Sequence, residues 1–163
     1  MNTKFQKYSA AVALVCFSIV LVTLVMQFSF DLIPCSLCYI QRYLLLGIGI
    51  VSVLATLPIM SRRMQRVWAA CAFIITSLGL ATSIHHLRLQ MLPPDQVPNC
   101  LPSADYLLAN FPILEALEMI LKGDHSCANP GWIFLGISLA GWAGIVFAAI
   151  FMNYTYWLLK GLR

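Results

Sequence analysis

The segment Tyr8 to Phe30, YSAAVALVCFSIVLVTLVMQFSF, contains no Asp, Glu, Lys or Arg. A helix rises about 1.5 Å per residue, so roughly 20 apolar residues cross the ~30 Å hydrocarbon core of a bilayer. This stretch is long enough to do so. Lys4 and Lys7 precede it, as they would in a secretory signal. Its apolar part nevertheless exceeds the usual ~7–15 residues, and no small-residue cleavage site follows, so it is expected to be retained as a span. Three further stretches lack charge: 43–61, 67–87 and 128–159. The last is longer than one crossing needs. Its membrane part is placed at about 132–152, leaving Tyr154, Tyr156 and Trp157 for the interface.

Composition agrees with four spans. The 163-residue chain is 61% hydrophobic and 10% charged, against about 45–50% and about 25% in soluble domains. A water-soluble domain is thereby excluded. A net charge of +4, without a basic run carrying interleaved aromatics, gives no reason to expect a nucleic-acid partner. The placement of the charges is more informative. Lys4 and Lys7, Arg62, Arg63 and Arg66, and Lys160 and Arg163 mark the N-terminus, the middle connection and the C-terminus. The positive-inside rule makes these three segments cytoplasmic. All six acids, Asp31, Asp95, Asp105, Glu115, Glu118 and Asp124, fall in the other two connections.

The expected fold is an all-α membrane protein. It forms a single membrane domain over 1–163, a bundle of four transmembrane helices at about 8–30, 43–61, 67–87 and 132–152, with outer loops at about 31–42 and 88–131. In the long loop, Ser103 can cap a helix with Asp105 in its first turn, and Pro112 interrupts that helix or restarts a second. Beyond it, Ile113, Leu114, Leu117, Ile120 and Leu121 share one helical face, and Glu115, Glu118 and Lys122 the other. A short amphipathic helix is expected there, lying along the membrane surface or packed on the bundle.

The six cysteines divide by depth. Cys16 and Cys71 lie within spans and read as small apolar side chains. Cys35 and Cys38 occupy the short outer loop, Cys100 and Cys127 the long one. In a bacterial inner membrane that side is the oxidising periplasm, which permits stable disulfides. Pro34-Cys35-Ser36-Leu37-Cys38 sits where the chain enters the second span. A helix start stabilises a thiolate through its exposed N–H groups, and Arg42, one turn beyond Cys38, is expected to bring its guanidinium toward that sulfur. As a bland alternative, Arg42 snorkels to the headgroups. Cys100 and Cys127 form a structural staple or an exchangeable pair feeding the Cys-x-x-Cys. Zinc is the other use for four cysteines. The second pair is split too widely for a paired-ligand site and the compartment is oxidising, so no metal is expected. His85 and His86, near the outer end of the third span, point about 100° apart, so at most one faces squarely into the bundle. Such a group could hold the head of a membrane-soluble carrier.

Over essentially its whole length the chain resembles the DsbB family of disulfide bond formation proteins. Its most specific local element is Pro34-Cys35-x-x-Cys38-x-x-x-Arg42. His86 with Leu89 and Gln90, and the run from Cys127 through Trp132-x-Phe134-Leu135-Gly136 to Trp142, also fit. The resemblance implies a bacterial inner-membrane oxidoreductase with both termini cytoplasmic and its active cysteines periplasmic. It implies a quinone cofactor, ubiquinone or menaquinone, and a periplasmic DsbA-like thiol oxidoreductase as partner. It also implies roles: the partner attacks a Cys100–Cys127 disulfide at Cys100, the released Cys127 attacks Cys35, and Cys38, beside Arg42, passes electrons to the quinone near His86. Two alternatives stay open, a DsbI-like paralogue with one dedicated partner and a non-enzymatic protein whose outer disulfides are staples. A vitamin K epoxide reductase-like enzyme is disfavoured, because its Cys-x-x-Cys comes late in the chain and here it comes first.

Overall fold

A computed structural model of the protein describes residues 3–29, 34–57, 61–93, 96, 102, 104–123, 125–130 and 132–161. Three long helices come first: α1 (Thr3–Ser29), α2 (Ser36–Thr56) and α3 (Arg62–Gln90). Three short ones follow, α4 (Ala104–Asn110), α5 (Ile113–Lys122) and α6 (His125–Ala128). A hairpin of β1 (Ile133–Phe134) and β2 (Ile137–Ser138) leads into α7 (Leu139–Tyr156), whose end widens into a π-helical turn at Trp157–Gly161. Four of these helices are long and apolar enough to cross a membrane. The molecule is a multi-pass membrane protein.

Lipid offers no hydrophobic drive between helices, so the seams need close approach and internal hydrogen bonds. α1 packs on α2, α2 on α3, and α3 on α7. The seam of α1 is Phe5, Ser9, Val12, Ala13, Cys16 and Val20, recurring at helical spacing. The buried face of α3 is mostly small or polar, with Ala69, Ala72, Thr76, Gly79, Thr82 and Ser83. Gly79 is where backbone and ring meet: a Cβ there would run into the Phe147 side chain of α7. Across the seams, Ser52 and Tyr154 share a hydrogen bond of 2.8 Å, and the Gln41 amide donates to Ser83 Oγ at 3.0 Å. Thr76, Ser77, Thr82 and Ser83 return their hydroxyl protons to carbonyls one turn back, which lets them sit in an apolar bundle. Outward, Leu14, Leu21, Ile50, Ile74, Leu78, Ile84 and Ile145 are exposed, the surface a lipid-embedded bundle requires.

The helices outrun the uncharged stretches. α2 begins at Ser36, and α3 spans Arg62–Gln90, because hydropathy marks the hydrocarbon and not the end of a helix. The fourth long helix differs more. Helix expected from Trp132 begins only at Leu139, because Ile133 pairs with Ser138 and Phe134 with Ile137. The two residues between the strands, Leu135 (φ 53°) and Gly136 (φ 78°), are left-handed, as a two-residue hairpin turn demands. Ser138 then caps α7, accepting from the Gly141 N–H at 3.3 Å.

In the long loop, Pro112 restarts the chain as a second helix. α5 rests on the bundle through Ala116 and Ile120, which meet Leu107 of α4 and Tyr39 and Ile40 of α2. Ile113, Leu114, Leu117 and Leu121 remain uncovered. The Glu118–Lys122 pair on α5 is exposed and contributes little to stability. The proposed Ser103 cap lies outside the described residues, as does Cys100.

Candidate functional site

Pro34 leads into Cys35, whose extended backbone (φ −67°, ψ 166°) makes it the N-cap of α2. The Tyr39 N–H bonds back to the Cys35 carbonyl at 3.2 Å, closing the first turn. That turn brings Cys38 Sγ to 3.1 Å from Cys35 Sγ. His86 of α3 approaches from the other side, its Nε2 3.6 Å from Cys35 Sγ. Cys127 arrives on α6, with Ser36 Oγ 3.5 Å from its sulfur. The reactive atoms of Cys35, His86 and Cys127 all lie within 4.8 Å of one another. No disulfide joins Cys35 to Cys38 or to Cys127.

Apolar packing holds this meeting point. Cys35, Leu37, Leu89 and Cys127 form one buried cluster. Gly123 ends α5 at φ 71°, a left-handed conformation that favours glycine, and a side chain there would strike Leu89. That close turn returns the chain to the head of α2, where α6 delivers Cys127.

Burial and proximity govern the thiols. A hydrogen bond with Cys127 favours the Cys35 thiolate, but the hydrogen bond with Cys38 and burial outweigh it, and Cys35 is pushed up to about 12. The hydrogen bond with Cys35 raises Cys127 far above the ordinary thiol range, and burial and the nearby Cys35 charge raise it further. In the reduced protein both stay protonated at neutral pH. The alkylation rate of Cys35, followed by peptide mass mapping, should therefore keep rising about tenfold per pH unit through about pH 10, where ordinary thiols level off. A plateau near that of free cysteine would contradict it.

Cys35, Cys38 and His86 line a cavity of about 530 Å³ bounded by α1, α2, α3 and α7. Its walls are largely apolar, including Ile19, Met26, Leu45, Trp142 and Val146, and its polar residues include Gln27, Gln41, Arg42, His86 and Gln90. The β1–β2 hairpin carries aromatics beside it. Trp132 stacks on Phe134 at 5.6 Å, and Trp142 Nε1 donates to the Phe134 carbonyl at 3.1 Å. Gln90 accepts from Ser138 Oγ at 2.8 Å, tying α3 to the start of α7.

Arg42 lines this cavity too, but its hydrogen bonds run to α1 and not to a sulfur. Nη1 donates to Gln27 Oε1 at 2.7 Å and Nη2 to the Thr23 carbonyl at 3.4 Å, with the Tyr39 ring 5.8 Å from the guanidinium carbon. Its Cβ sits one turn from Cys38, while the length of the side chain carries the charge to neutral acceptors across the seam. The charge stays in the cavity without a carboxylate partner in those bonds. Of the two histidines, His86 is 2% exposed and faces the cavity, whereas His85 does not line it. Cys16 is buried in the bundle core, and neither it nor Cys71 lines the cavity. Gln90 belongs to the segment singled out from the sequence, whereas Gln27 and Gln41 do not stand out there. For Gln27 the available signal is a neutral amide inside an uncharged stretch.

A model of the family described as disulfide bond formation protein DsbB matches residues 6–157. The chain belongs to the DsbB family. Among its relatives, the disulfide bond formation protein B of Marinobacter nauticus is 38% identical over 91% of this chain and 89% of its own. That of Saccharophagus degradans is 34% identical over 99% and 97%, and that of Acinetobacter baylyi is 40% identical over 78% and 75%. The match covers α2, α3 and α7 whole, α1 from residue 6 onward, and the segments that carry Cys35, Cys38 and Cys127. As a DsbB family member, the chain is a disulfide bond formation protein, a disulfide-forming oxidoreductase embedded in a membrane.

The cavity fits a quinone head. A flat, mostly apolar ring needs a greasy slot with a few polar groups at one end. Here aromatic and aliphatic walls are joined by Arg42, Gln27, His86, Gln41 and Gln90, close to the Cys35–Cys38 pair.

Proposed function

We propose that this protein reoxidises a periplasmic DsbA-like dithiol protein and passes the electrons to membrane quinone, acting as one membrane domain in the bacterial inner membrane. Both termini then lie in the cytoplasm and the four working cysteines in the periplasm. What supports the reading most is that Cys35 meets Cys38, Cys127 and His86, and that Cys35, Cys38 and His86 line a cavity that also holds Arg42. Thiol–disulfide exchange needs the attacking sulfur beside the disulfide it opens, and Cys127 and Cys35 are already neighbours.

A thiolate of the reduced partner attacks Cys100, breaking the Cys100–Cys127 bond, forming a mixed disulfide and releasing Cys127. Cys127 attacks Cys35, opens the Cys35–Cys38 disulfide and frees Cys38 as a thiolate, with the Arg42 charge in the same cavity to favour that anion. The partner's second thiol resolves the mixed disulfide, and the released Cys100 recloses on Cys127, leaving Cys35 and Cys38 as a dithiol. A bound quinone supplies the acceptor for the two electrons and two protons that this dithiol gives up as it closes. His86, at the Cys35 sulfur, is placed to take and hand on a proton there. DsbA-type proteins are strong oxidants at about −120 mV, so only a more oxidising acceptor regenerates them, and bacteria keep the periplasm oxidising through a DsbA–DsbB–quinone chain.

Thiol trapping tests the relay against simple staples. On addition of reduced partner without quinone, Cys35, Cys38, Cys100 and Cys127 should become alkylatable in the acid-quenched protein. Cysteines that stay oxidised under those conditions would make the outer disulfides structural.

A further inference from the structure

The same sulfurs suit a second ligand when they are reduced. Cys35 Sγ lies 3.1 Å from Cys38 Sγ and 3.6 Å from His86 Nε2, and Cys127 Sγ lies within 4.8 Å of both Cys35 Sγ and the His86 ligand atom. Tetrahedral zinc binds thiolate at ~2.3 Å and imidazole at ~2.0–2.1 Å, which sets sulfur and nitrogen about 3.5 Å apart and two sulfurs about 3.8 Å apart. The Cys35–His86 separation already matches that edge. Cys127 would need to move by about 1 Å, and Cys38, which stands outside the group of donors lying within 4.8 Å of one another, would turn toward His86 and Cys127 as its sulfur parts from Cys35 from 3.1 Å to about 3.8 Å.

We propose that the reduced protein binds one thiophilic d10 cation, with Zn2+ as its prime example, through Cys35, Cys38, Cys127 and His86, and that the bound ion arrests the relay. Each thiol that ligates gives up its proton to water and no electrons move. The ion takes the lone pairs that Cys127 needs for attack and that Cys35 and Cys38 need for closure. Arg42, in the same cavity, offsets the net negative charge of a three-thiolate site. The set is not the four-cysteine site that sequence spacing disfavours: it draws on His86 and does not use Cys100. In the oxidised protein the donor sulfurs are held in disulfides, so the site exists only after reduction. The arrest rests on the relay reading, whereas the site itself requires only reduced cysteines.

The test uses the full chain in detergent, reduced by a phosphine under nitrogen. Cd2+ is titrated by its sulfur charge-transfer absorbance, and Zn2+ by competition with a chromophoric chelator. One ion per reduced chain is expected, bound at least a hundredfold more weakly after oxidation. Cys127→Ser and His86→Gln should each weaken binding at least tenfold, and Cys71→Ser should leave it unchanged. Should a variant fail to fold, protection mapping on the unmodified protein decides: Zn2+ should shield Cys35, Cys38 and Cys127 from alkylation. Equal affinity in both redox states, or protection confined to Cys35 and Cys38, would overturn the site. In turnover with reduced partner and quinone, Zn2+ should slow reoxidation at least tenfold, reversibly by chelator. Binding without slowing would overturn the arrest alone. Absence of turnover before any metal is added would count against the relay reading and leave the binding result standing.

Discussion

Replacing Cys38 with serine is expected to reduce quinone-dependent oxidation of a reduced DsbA-like partner to the uncatalysed background. In the proposed relay Cys38 is the sulfur that the Cys127 attack on Cys35 sets free, and it lines the cavity proposed for the quinone. A serine hydroxyl neither forms the disulfide nor carries two electrons out of it. Cys35→Ser should have the same effect for a different reason, because it removes the sulfur that Cys127 must attack. The two variants should separate upstream. With Cys38→Ser, Cys127 still meets a thiol at Cys35; with Cys35→Ser it meets none, and a Cys35–Cys127 link should be trappable only in the former under mild oxidation. The measurement is quinone absorbance with partner and quinone as the sole donor and acceptor. Normal turnover by either variant would end the proposed mechanism.

The second large effect is expected at Arg42. Arg42→Met keeps an apolar stem in the cavity and removes the charge along with the bonds to Gln27 and the Thr23 carbonyl. A charge-assisted hydrogen bond contributes about 1.5–3 kcal/mol, which corresponds to about a ten- to hundredfold rise in the apparent KM for quinone. The apparent KM for the partner should change less than about twofold, because the proposed relay assigns the partner's exchange to Cys100 and gives the guanidinium no part in it. Steady-state kinetics with each substrate varied in turn gives both numbers. An unchanged quinone KM would leave Arg42 as an orientation anchor at the membrane edge.

Much of the architecture is readable from charge and hydropathy because the bilayer forbids most alternatives. Uncharged stretches the length of a crossing have to be helices, and α1, α2, α3 and α7 are. The hairpin at Ile133–Ser138 was concealed by the same reasoning, since its side chains are nearly all apolar and read as more span. Gly136 was the available signal, a residue suited to the left-handed turn. The amphipathic pattern of α5 locates that helix, but of its apolar face only Ile120 is buried, together with Ala116. Periodicity finds a face, and docking chooses which part of it is covered.

At the site, local spacing was legible and long-range closure was not. Cys35 and Cys38 follow from a three-residue step at a helix start. That Cys127 comes to lie beside Cys35 depends on the turn at Gly123 and on Leu89 and Leu37, which no local pattern ties together. His86 and His85 differ by one residue, and only the packing of α3 turns His86 inward. Arg42 shows what helical spacing leaves open for a long side chain: it stands one turn beyond Cys38, and Gln27, on another helix, decides where its guanidinium bonds.

The most direct test of the relay is anaerobic mixing of the purified protein with a reduced DsbA-like dithiol and a quinone, ubiquinone and menaquinone in turn. Partner thiols and quinone absorbance are followed together. The relay predicts that partner disulfide and quinol appear one for one, catalytically, with at least one of the quinones. Partner that stays reduced with either quinone, or is oxidised at a rate indifferent to their presence, would contradict it.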